Sequence, residues 1–92
     1  MKELPNAEVY EQEFRFMPCG VLTDRVLDIV AKDTLRNGKV LDLMCGPGYL
    51  LGKIFDRRPD LILEGIDIND GFIQYAQSKY HNISFEVVDV LL

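Results

Sequence analysis

Histidine, cysteine and tryptophan are scarce in this sequence of 92 residues. It has one histidine, His81, two cysteines, Cys19 and Cys45, and no tryptophan. One histidine without a cysteine cluster excludes the common tetrahedral zinc sites, and two cysteines do not make a disulfide framework. Since the N-terminus is polar and acidic rather than a secretion signal, we expect reduced thiols, a cytoplasmic location and no bound metal.

Long apolar runs and an excess of positive charge are also absent. No apolar run reaches the roughly 18 residues that a membrane span needs. Fifteen acidic and ten basic residues give a net charge of −5, which argues against a surface that binds nucleic-acid phosphates. The one basic stretch, Arg57-Arg58 with Lys53 one turn earlier, is typical of a helix C-terminus. We therefore expect neither a membrane nor a nucleic acid as a partner.

Apolar periodicity is what the sequence does contain, and it begins after the first 20 residues. We expect an irregular N-terminal arm over residues 1–20 and one small domain over residues 21–92. Apolar residues at helical spacing predict a first helix over residues 23–36, with Thr23 as its cap and an Asn-Gly pair after its end.

Three short runs with β-character then alternate with helical segments. The predicted strands cover residues 39–44, 61–68 and 83–88, and the helices between them cover residues 49–57 and a segment that Asn69 or Asp70 caps and that reaches Tyr80. The first strand is apolar enough to be buried on both faces. Alternation of strands and helices predicts right-handed crossovers and a parallel sheet in an α/β fold.

Glycines and acids follow the three predicted strands. The first strand runs into CGPG at residues 45–48, the second ends in Asp67 and the third in Asp89. The carboxyl ends of parallel strands form one edge, where ligands bind. Glycines admit a ligand close to the backbone, helix N–H groups bind a carboxylate or phosphate, and acids accept hydrogen bonds from a ribose diol or an exocyclic amine. The pattern indicates an adenosine-containing ligand with a compact polar tail.

Simpler interpretations stay open for each of these residues. Gly46 and Gly48 also suit a tight turn without a ligand. Asp67 also suits a helix cap, and Asp89 a solvated surface position. Asp42 lies in an apolar run, where an unpaired charge is costly, so its partner is either the backbone N–H groups of the glycine turn or a ligand.

Two other glycine-loop ligands fit the sequence less well. The dinucleotide fingerprint needs a small residue at position 51, where this chain has Leu51, with Gly52 one residue late. We expect Leu51 to hold the helix and the strand too far apart for that motif. No stretch of the sequence matches the phosphate-binding P-loop.

Three stretches, in order, resemble the motifs of class I S-adenosylmethionine (SAM)-dependent methyltransferases. "VLDLMCGPGYL" is similar to their first motif, "LEGIDIN" to the second, which ends in an acid, and "ISFEVVDVL" to the third. The resemblance covers roughly residues 20–92. It implies a Rossmann-like, three-layer α/β fold with a parallel sheet, and SAM or its product S-adenosylhomocysteine (SAH) as cofactor.

At the methionine end of the cofactor, the resemblance implies that Gly46 and Gly48 flank the ligand and that Asp42 reaches its amino group. Cys45 belongs to the same cofactor-binding motif. Its position beside a predicted helix N-terminus can lower a thiol pKa. No histidine is near it in sequence, so we interpret its side chain as a packing residue rather than a nucleophile.

At the adenosine end, the resemblance implies that Asp67 binds the ribose hydroxyls and that Ile68 lies against the adenine face. Asp89 and the backbone of Val90 would read the adenine edge. In the arm, "FRFMPCGVLTDRVL" is similar to the segment that often covers the cofactor in this family. The contacts predicted there are Tyr10, Phe14 and Arg15.

Two departures from the family pattern shape the functional expectation. Met44 stands where the family usually has glycine, and it can narrow the pocket. Only strands 1 to 3 of the family's usual seven are present, and the missing ones carry most of the acceptor site. We therefore expect the cofactor-binding portion of a methyltransferase with an unidentified acceptor and unknown catalytic residues.

Two alternatives to that function remain. One is a non-catalytic module that binds SAM or a nucleotide or that dimerises, and the other is an NAD-binding Rossmann fragment. The missing strands also leave the first strand at an open edge, and such edges seek partners. We expect a homodimer in which the first strands of two chains pair across a twofold axis.

Overall fold

Helices and strands alternate along the chain in the computed structural model, which describes residues 7–9 and 18–89. The elements are α1 (Pro18–Asp33), β1 (Lys39–Asp42), α2 (Tyr49–Arg57), β2 (Ile62–Asp67), α3 (Asp70–Lys79) and β3 (Ser84–Val87). The predicted order of elements is confirmed. Whether residues 1–20 form a separate arm stays a prediction, because residues 1–6 and 10–17 lie outside the described chain.

The three strands form one parallel sheet in the order β1-β2-β3. Val40 pairs with Leu63, and Gly65 pairs with Phe85, so these residues share one face of the sheet. The predicted parallel α/β architecture is confirmed. In the described residues β1 and β3 are the two edges of the sheet, and their carboxyl ends lie beside that of β2.

One face of the sheet is covered and the other is open. Leu63 and Phe85 are buried beneath α2 and α3, whereas Leu41 is 53% exposed and Ile62 is 48% exposed on the opposite face. The expectation that the first strand is buried on both faces is therefore wrong for the described chain. No described element packs on its outer face, which leaves β1 half covered.

Helix α1 begins earlier and ends earlier than the apolar pattern predicts. It starts at Pro18, because proline fits the first turn of a helix, where its missing N–H is not needed. Thr23 lies inside the helix and is buried, so its predicted role as a cap is wrong. The helix ends at Asp33, and Asn37 makes the following turn in a left-handed conformation with a φ of 61°.

The basic stretch after α2 holds the amino end of the sheet together. Arg58 donates from Nη1 to the carbonyls of Ala31 (2.7 Å) and Thr34 (3.1 Å), at the end of α1. Its Nε and Nη2 each lie 2.9 Å from the carboxylate of Asp60, which also accepts the N–H of Asn37 at 2.8 Å. The prediction of a helix C-terminus is confirmed, but the carbonyls that the Arg58 side chain meets lie in the last turn of α1 and directly after it rather than in its own helix.

None of the helices within residues 7–9 and 18–89 is long and apolar enough to cross a bilayer.

Candidate functional site

The glycine loop between β1 and α2 turns sharply at the carboxyl end of the sheet. Gly46 and Gly48 have φ values of 56° and 93°, the left-handed region that glycine adopts at little cost. The N–H of Gly48 donates to the carbonyl of Cys45 at 3.2 Å, which closes the turn. The backbone therefore requires both glycines, and their predicted position beside a ligand stays a prediction.

Close packing below this loop also requires glycine. A Cβ on Gly48 would lie 3.0 Å from the rings of Phe85 and Tyr80, and a Cβ on Gly52 would overlap the ring of Tyr80. A role for Gly52 was not expected from the sequence. A glycine inside a helix, where it costs roughly 0.5–1 kcal/mol relative to alanine, was the signal that another group approaches there.

Helix α2 and strand β2 come together through Leu51 and Gly65. Leu51 is 1% exposed, and a Cβ on Gly65 would lie 2.8 Å from its Cδ1. The expectation that Leu51 holds the helix away from the strand is therefore wrong. In the dinucleotide fingerprint, a small residue in the helix lets the helix and the strand pack closely. Here Gly65 in the strand makes room for Leu51 in the helix.

Asp67 ties two loops together at the end of β2. Its Oδ2 accepts the N–H of Gly46 and its Oδ1 accepts the N–H of Asn69, both at 2.9 Å. Helix α3 is capped by Asn69, whose side chain accepts the N–H of Phe72 at 3.2 Å. The cap interpretation of Asp67 is thus wrong, and that of Asn69 is confirmed. A carboxylate offers about four acceptor positions, so Asp67 keeps capacity for a ligand.

Asp42 is half-buried at the end of the neighbouring strand. Its Oδ1 accepts the N–H of Met44 at 3.2 Å, so its protein partner is a backbone donor next to the glycines rather than one of them. Burial, and then the negative charge of Asp67, raise the pKa of Asp42, and the bond from Met44 opposes them. A cation brought to this position would stabilise the carboxylate.

Cys45 packs into the core and is not activated. Its side chain is buried beside Gly65, and its Sγ lies 3.3 Å from the carbonyl of Gly46. Burial and the charges of Asp42 and Asp67 raise the pKa of the thiol to about 12. The thiolate is thus suppressed at neutral pH, and the packing interpretation is confirmed.

The remaining predicted site residues follow β2 and β3. Ile68 is 64% exposed directly after Asp67. The N–H of Val88 donates to the carbonyl of Asp67 at 3.0 Å, which brings the half-buried Asp89 to the same edge. Four predicted contacts lie outside the described residues: Val90, Tyr10, Phe14 and Arg15.

Met44, the departure from the family pattern, stands on the surface. It is 79% exposed. Asn37 is the only non-glycine residue with a positive φ in residues 7–9 and 18–89, so the backbone at Met44 does not require glycine.

The hydrogen-bond donors of the loop are already used by the protein. Gly46 N–H binds Asp67, Gly48 N–H binds the carbonyl of Cys45, and Pro47 has no N–H. The site therefore presents two carboxylates, Asp42 and Asp67, and an exposed apolar surface at Ile68. Among the described residues, no three histidine, cysteine or acidic side chains lie together as metal ligands. This arrangement suits hydroxyl groups, a flat ring and positive charge.

Known proteins resemble this chain in sequence and in structure. No family model matches the chain. The malonyl-(acyl-carrier protein) O-methyltransferase of Acetivibrio thermocellus is 34% identical over 71 residues, which are 75% of this chain and 25% of that protein. The carboxy-S-adenosyl-L-methionine synthase of Campylobacter fetus is 34% identical over 67 residues, 68% of this chain and 29% of that protein.

Solved structures share the fold. A TehB-like SAM-dependent methyltransferase from Corynebacterium glutamicum superposes with a TM-score of 0.66 at 24% identity, covering 90% of this chain and 45% of that one. The sheet and the glycine loop thus define a Rossmann-like α/β domain. The sequence relatives and structural neighbours of the chain include class I SAM-dependent methyltransferases, and it spans about a quarter of the length of the curated relatives it matches.

Proposed function

We propose that this chain is the cofactor-binding portion of a SAM-dependent methyltransferase and binds SAM and SAH at the carboxyl edge of its sheet. The observation that carries the proposal is the carboxylate of Asp67, held by the N–H groups of Gly46 and Asn69 between the glycine loop and α3. Bound SAM would supply a methyl group activated by its sulfonium. The acceptor is unidentified, and no described residue is assigned a catalytic role.

The adenosine half of the ligand is assigned to the ends of β2 and β3. Asp67 would accept the ribose hydroxyls with the acceptor positions that its two backbone partners leave. Ile68 would lie under the adenine ring, since a large apolar side chain that is 64% exposed can bury its surface against a flat ligand. Asp89 and the backbone of Val90 would bind the adenine edge.

The methionine half is assigned to the loop after β1. Gly46, Gly48 and the backbone at Cys45 would lie along it. Asp42 would bind the ligand's ammonium group directly or through water. The raised pKa of this half-buried carboxylate supports the assignment, because a cationic neighbour would offset its burial.

A binding module without methyl transfer is the second candidate function. One relative, from Campylobacter fetus, carries the name of a carboxy-SAM synthase rather than of a methyltransferase. Likeness over this segment therefore extends to proteins named for a different reaction. The NAD-binding alternative is disfavoured because the two acids beside the loop, Asp42 and Asp67, would repel a pyrophosphate.

We also propose that the protein is cytoplasmic.

A further proposal concerns assembly: we propose that two chains pair through β1. β1 is an edge strand of the described sheet, and Leu41 within it and Leu43 directly after it are 53% and 55% exposed. Light scattering at about 100 μM should give a dimer mass, and Leu41→Lys should give a monomer because a lysine blocks an edge. Leu35→Lys, at a residue 83% exposed outside the sheet, is the control. A monomeric wild type would refute the pairing.

Calorimetric titration with SAH tests the cofactor assignment. We expect micromolar binding, weakened by at least about tenfold in Asp67→Ala, which corresponds to about 1.4 kcal/mol. Circular dichroism must show that the variant is folded, because Asp67 also holds two loops. A folded wild-type chain that does not bind SAH would overturn the proposal.

A matched pair of isoleucines separates the ligand contact from stability. Ile68→Ala should weaken SAH binding by about tenfold, because burying an isoleucine is worth about 1.5–3 kcal/mol. Ile62→Ala, at the amino end of β2 and 48% exposed, should leave the affinity unchanged. Equal effects of the two substitutions would count against contact of Ile68 with adenine.

A further inference from the structure

We propose that Tyr80 is a positioning residue of the proposed SAM site, because its ring holds the glycine loop and the first turn of α2 in one conformation. Tyr80 directly follows α3, and its side chain is half-buried against the core. This inference rests on the proposed function. It goes beyond that function by making the affinity for the methionine half of the ligand depend on a side chain that packs behind the loop.

The ring of Tyr80 lies against two glycines at the start of α2. Gly48 is the N-cap of this helix, and the N–H of Gly52 donates to its carbonyl at 2.9 Å, so the two glycines are one turn apart. A Cβ on Gly48 would lie 3.0 Å from Cδ2 and Cε2 of the ring, and a Cβ on Gly52 would overlap Cε1. One edge of the ring therefore packs against each glycine, and neither contact leaves space for a side chain.

The position of Tyr80 is itself fixed by α3 and β3. Its N–H donates to the carbonyl of Ala76 at 2.8 Å, and its carbonyl accepts the N–H of Ile83 at 3.3 Å. Its ring centroid lies 6.2 Å from that of the buried Phe85, with an angle of 47° between the ring planes. Aromatic rings at this separation attract one another. Tyr80 thus connects the start of α2 to the elements on either side of the α3–β3 turn.

The glycine loop needs such support because glycine does not fix its own conformation. Gly46 and Gly48 have φ values of 56° and 93°, and glycine adopts negative φ values about as readily. Asp67 holds Gly46 through a hydrogen bond of 2.9 Å, and the ring of Tyr80 packs against Gly48 at the other end of the loop. A loop that is already held in one conformation binds a ligand with a smaller loss of entropy.

The experiment compares two ligands that differ in the methionine half. SAH carries the amino-acid tail, whereas 5′-methylthioadenosine keeps the adenosine and the sulfur and lacks the tail. Their dissociation constants are measured by calorimetry with the wild type and with Tyr80→Leu, which removes the ring and keeps an apolar side chain. SAH should bind at least about tenfold more weakly to folded Tyr80→Leu, whereas the affinity for methylthioadenosine should change by less than about threefold. A general loss of folded protein would affect both ligands alike.

Two further variants separate positioning from packing. Tyr80→Phe keeps the ring and should bind both ligands within about threefold of the wild type. Phe55→Leu is the matched control, because Phe55 is also an aromatic residue partly buried against the core and lies nearer the C-terminal end of α2. It should lower the thermal midpoint, as Tyr80→Leu does, and leave the ratio of the two affinities as in the wild type.

Gly52→Ala tests the same contact from the helix. Its Cβ would displace the ring, and a cavity of about 210 Å³ beside Gly52 and Tyr80 gives the ring room to move while the chain stays folded. The substitution should weaken SAH binding more than methylthioadenosine binding. In the Tyr80→Leu background it should cost less than about threefold in SAH affinity, because the overlapping ring is gone.

The ratio of the two affinities decides the outcome. An unchanged ratio in folded Tyr80→Leu, or a loss in Tyr80→Phe as large as in Tyr80→Leu, would overturn the role of the ring while SAH binding by the wild type still supports the proposed function. If Tyr80→Leu does not fold, an unchanged ratio in Gly52→Ala would overturn the inference in the same way. Failure of a folded wild-type chain to bind SAH would overturn both the inference and the proposed function.

Discussion

The two ends of β2 carry charge in opposite ways. At the amino end, Arg58 and Asp60 neutralise each other, with 2.9 Å between Nε and Oδ1. The guanidinium also donates a hydrogen bond to the carbonyl of Ala31 near the end of α1. At the carboxyl end, Asp42 and Asp67 lie at the ends of neighbouring strands, and their partners among the described residues are backbone N–H groups. The charges at the amino end cancel and stabilise the fold. The two negative charges at the carboxyl end do not cancel, which is what the proposed binding of a cationic ligand requires.

The ends also differ in how their loops are supported. Charged hydrogen bonds from Arg58 hold the amino end at the surface, whereas at the carboxyl end the hydrogen bonds of Asp67 are joined by close packing of glycine against Leu51, Tyr80 and Phe85. The following substitutions break one end or the other, in order of expected effect.

Gly65→Ala should have the largest effect on stability, because it disrupts the packing between β2 and α2 below the carboxyl end. Its Cβ would lie 2.8 Å from the fully buried Leu51 and 2.9 Å from Cys45. We expect a loss of about 1–3 kcal/mol in the free energy of unfolding, measured by urea denaturation. Gly71→Ala, in the exposed first turn of α3, should cost less, because its Cβ would meet only Asn69 Oδ1, at 3.3 Å. Equal stability of Gly65→Ala and wild type would contradict the packing seen here.

Arg58→Ala should break the amino end alone. It removes the contacts to the carbonyls of Ala31 and Thr34 and leaves Asp60 without its ion pair. The thermal midpoint should fall by more than it does in Arg57→Ala, whose partner is the exposed Asp28. SAH affinity should stay unchanged in both variants. A loss of SAH affinity in folded Arg58→Ala would show that the two ends are not independent.

Acid should act on the two ends in opposite directions. The ion pair with Arg58 lowers the pKa of Asp60, so its stabilisation is present above the ordinary carboxyl pKa and is lost as pH falls through the lowered value. The raised pKa of Asp42 means that its ionised form destabilises the fold, and protonation relieves this as pH falls through the raised value.

Unfolding curves of single variants between pH 7 and about pH 3 test this contrast. Asp60→Asn should be less stable than wild type at neutral pH, with the difference narrowing in acid. Asp42→Asn should be slightly more stable at neutral pH, with the difference also narrowing in acid. The same sign for both variants at neutral pH would remove the contrast between the ends.

Met44→Ala should have the smallest effect. The side chain is 79% exposed and its backbone does not need glycine, so both stability and SAH affinity should stay close to wild type. A gain of about tenfold in SAH affinity would instead mean that Met44 narrows the pocket, as its departure from the family pattern suggests.

Much of the candidate site could be predicted from residue type and spacing. The order of elements, the capping role of Asn69 and the gathering of Asp67 and Asp89 at one edge follow from alternating periodicity and from the parallel sheet that it implies. The start of α1 could not, because a proline can begin a helix as well as break one, and only packing against α2 decides between them.

Contacts between residues that are distant in the chain could not be predicted from the sequence, for a different reason. Arg58 donates to carbonyls 24 and 27 residues away in the sequence. Gly65 packs against Leu51 of α2, a residue that we expected to keep the helix away from the strand. Local patterns record which residues are apolar or flexible. They do not record which of them face each other after the chain crosses over the sheet.

By itself, the sequence determined the α/β class, the glycine turn after the first strand and the acids that end the strands, because these depend on local conformation and on strand direction. Only the tertiary structure decided that the loop's N–H groups bind Asp67 and Cys45, that Cys45 is inert and that Arg58 caps α1. Hydrogen bonds and burial depend on distances between segments, and those distances exist only once the helices pack on the sheet.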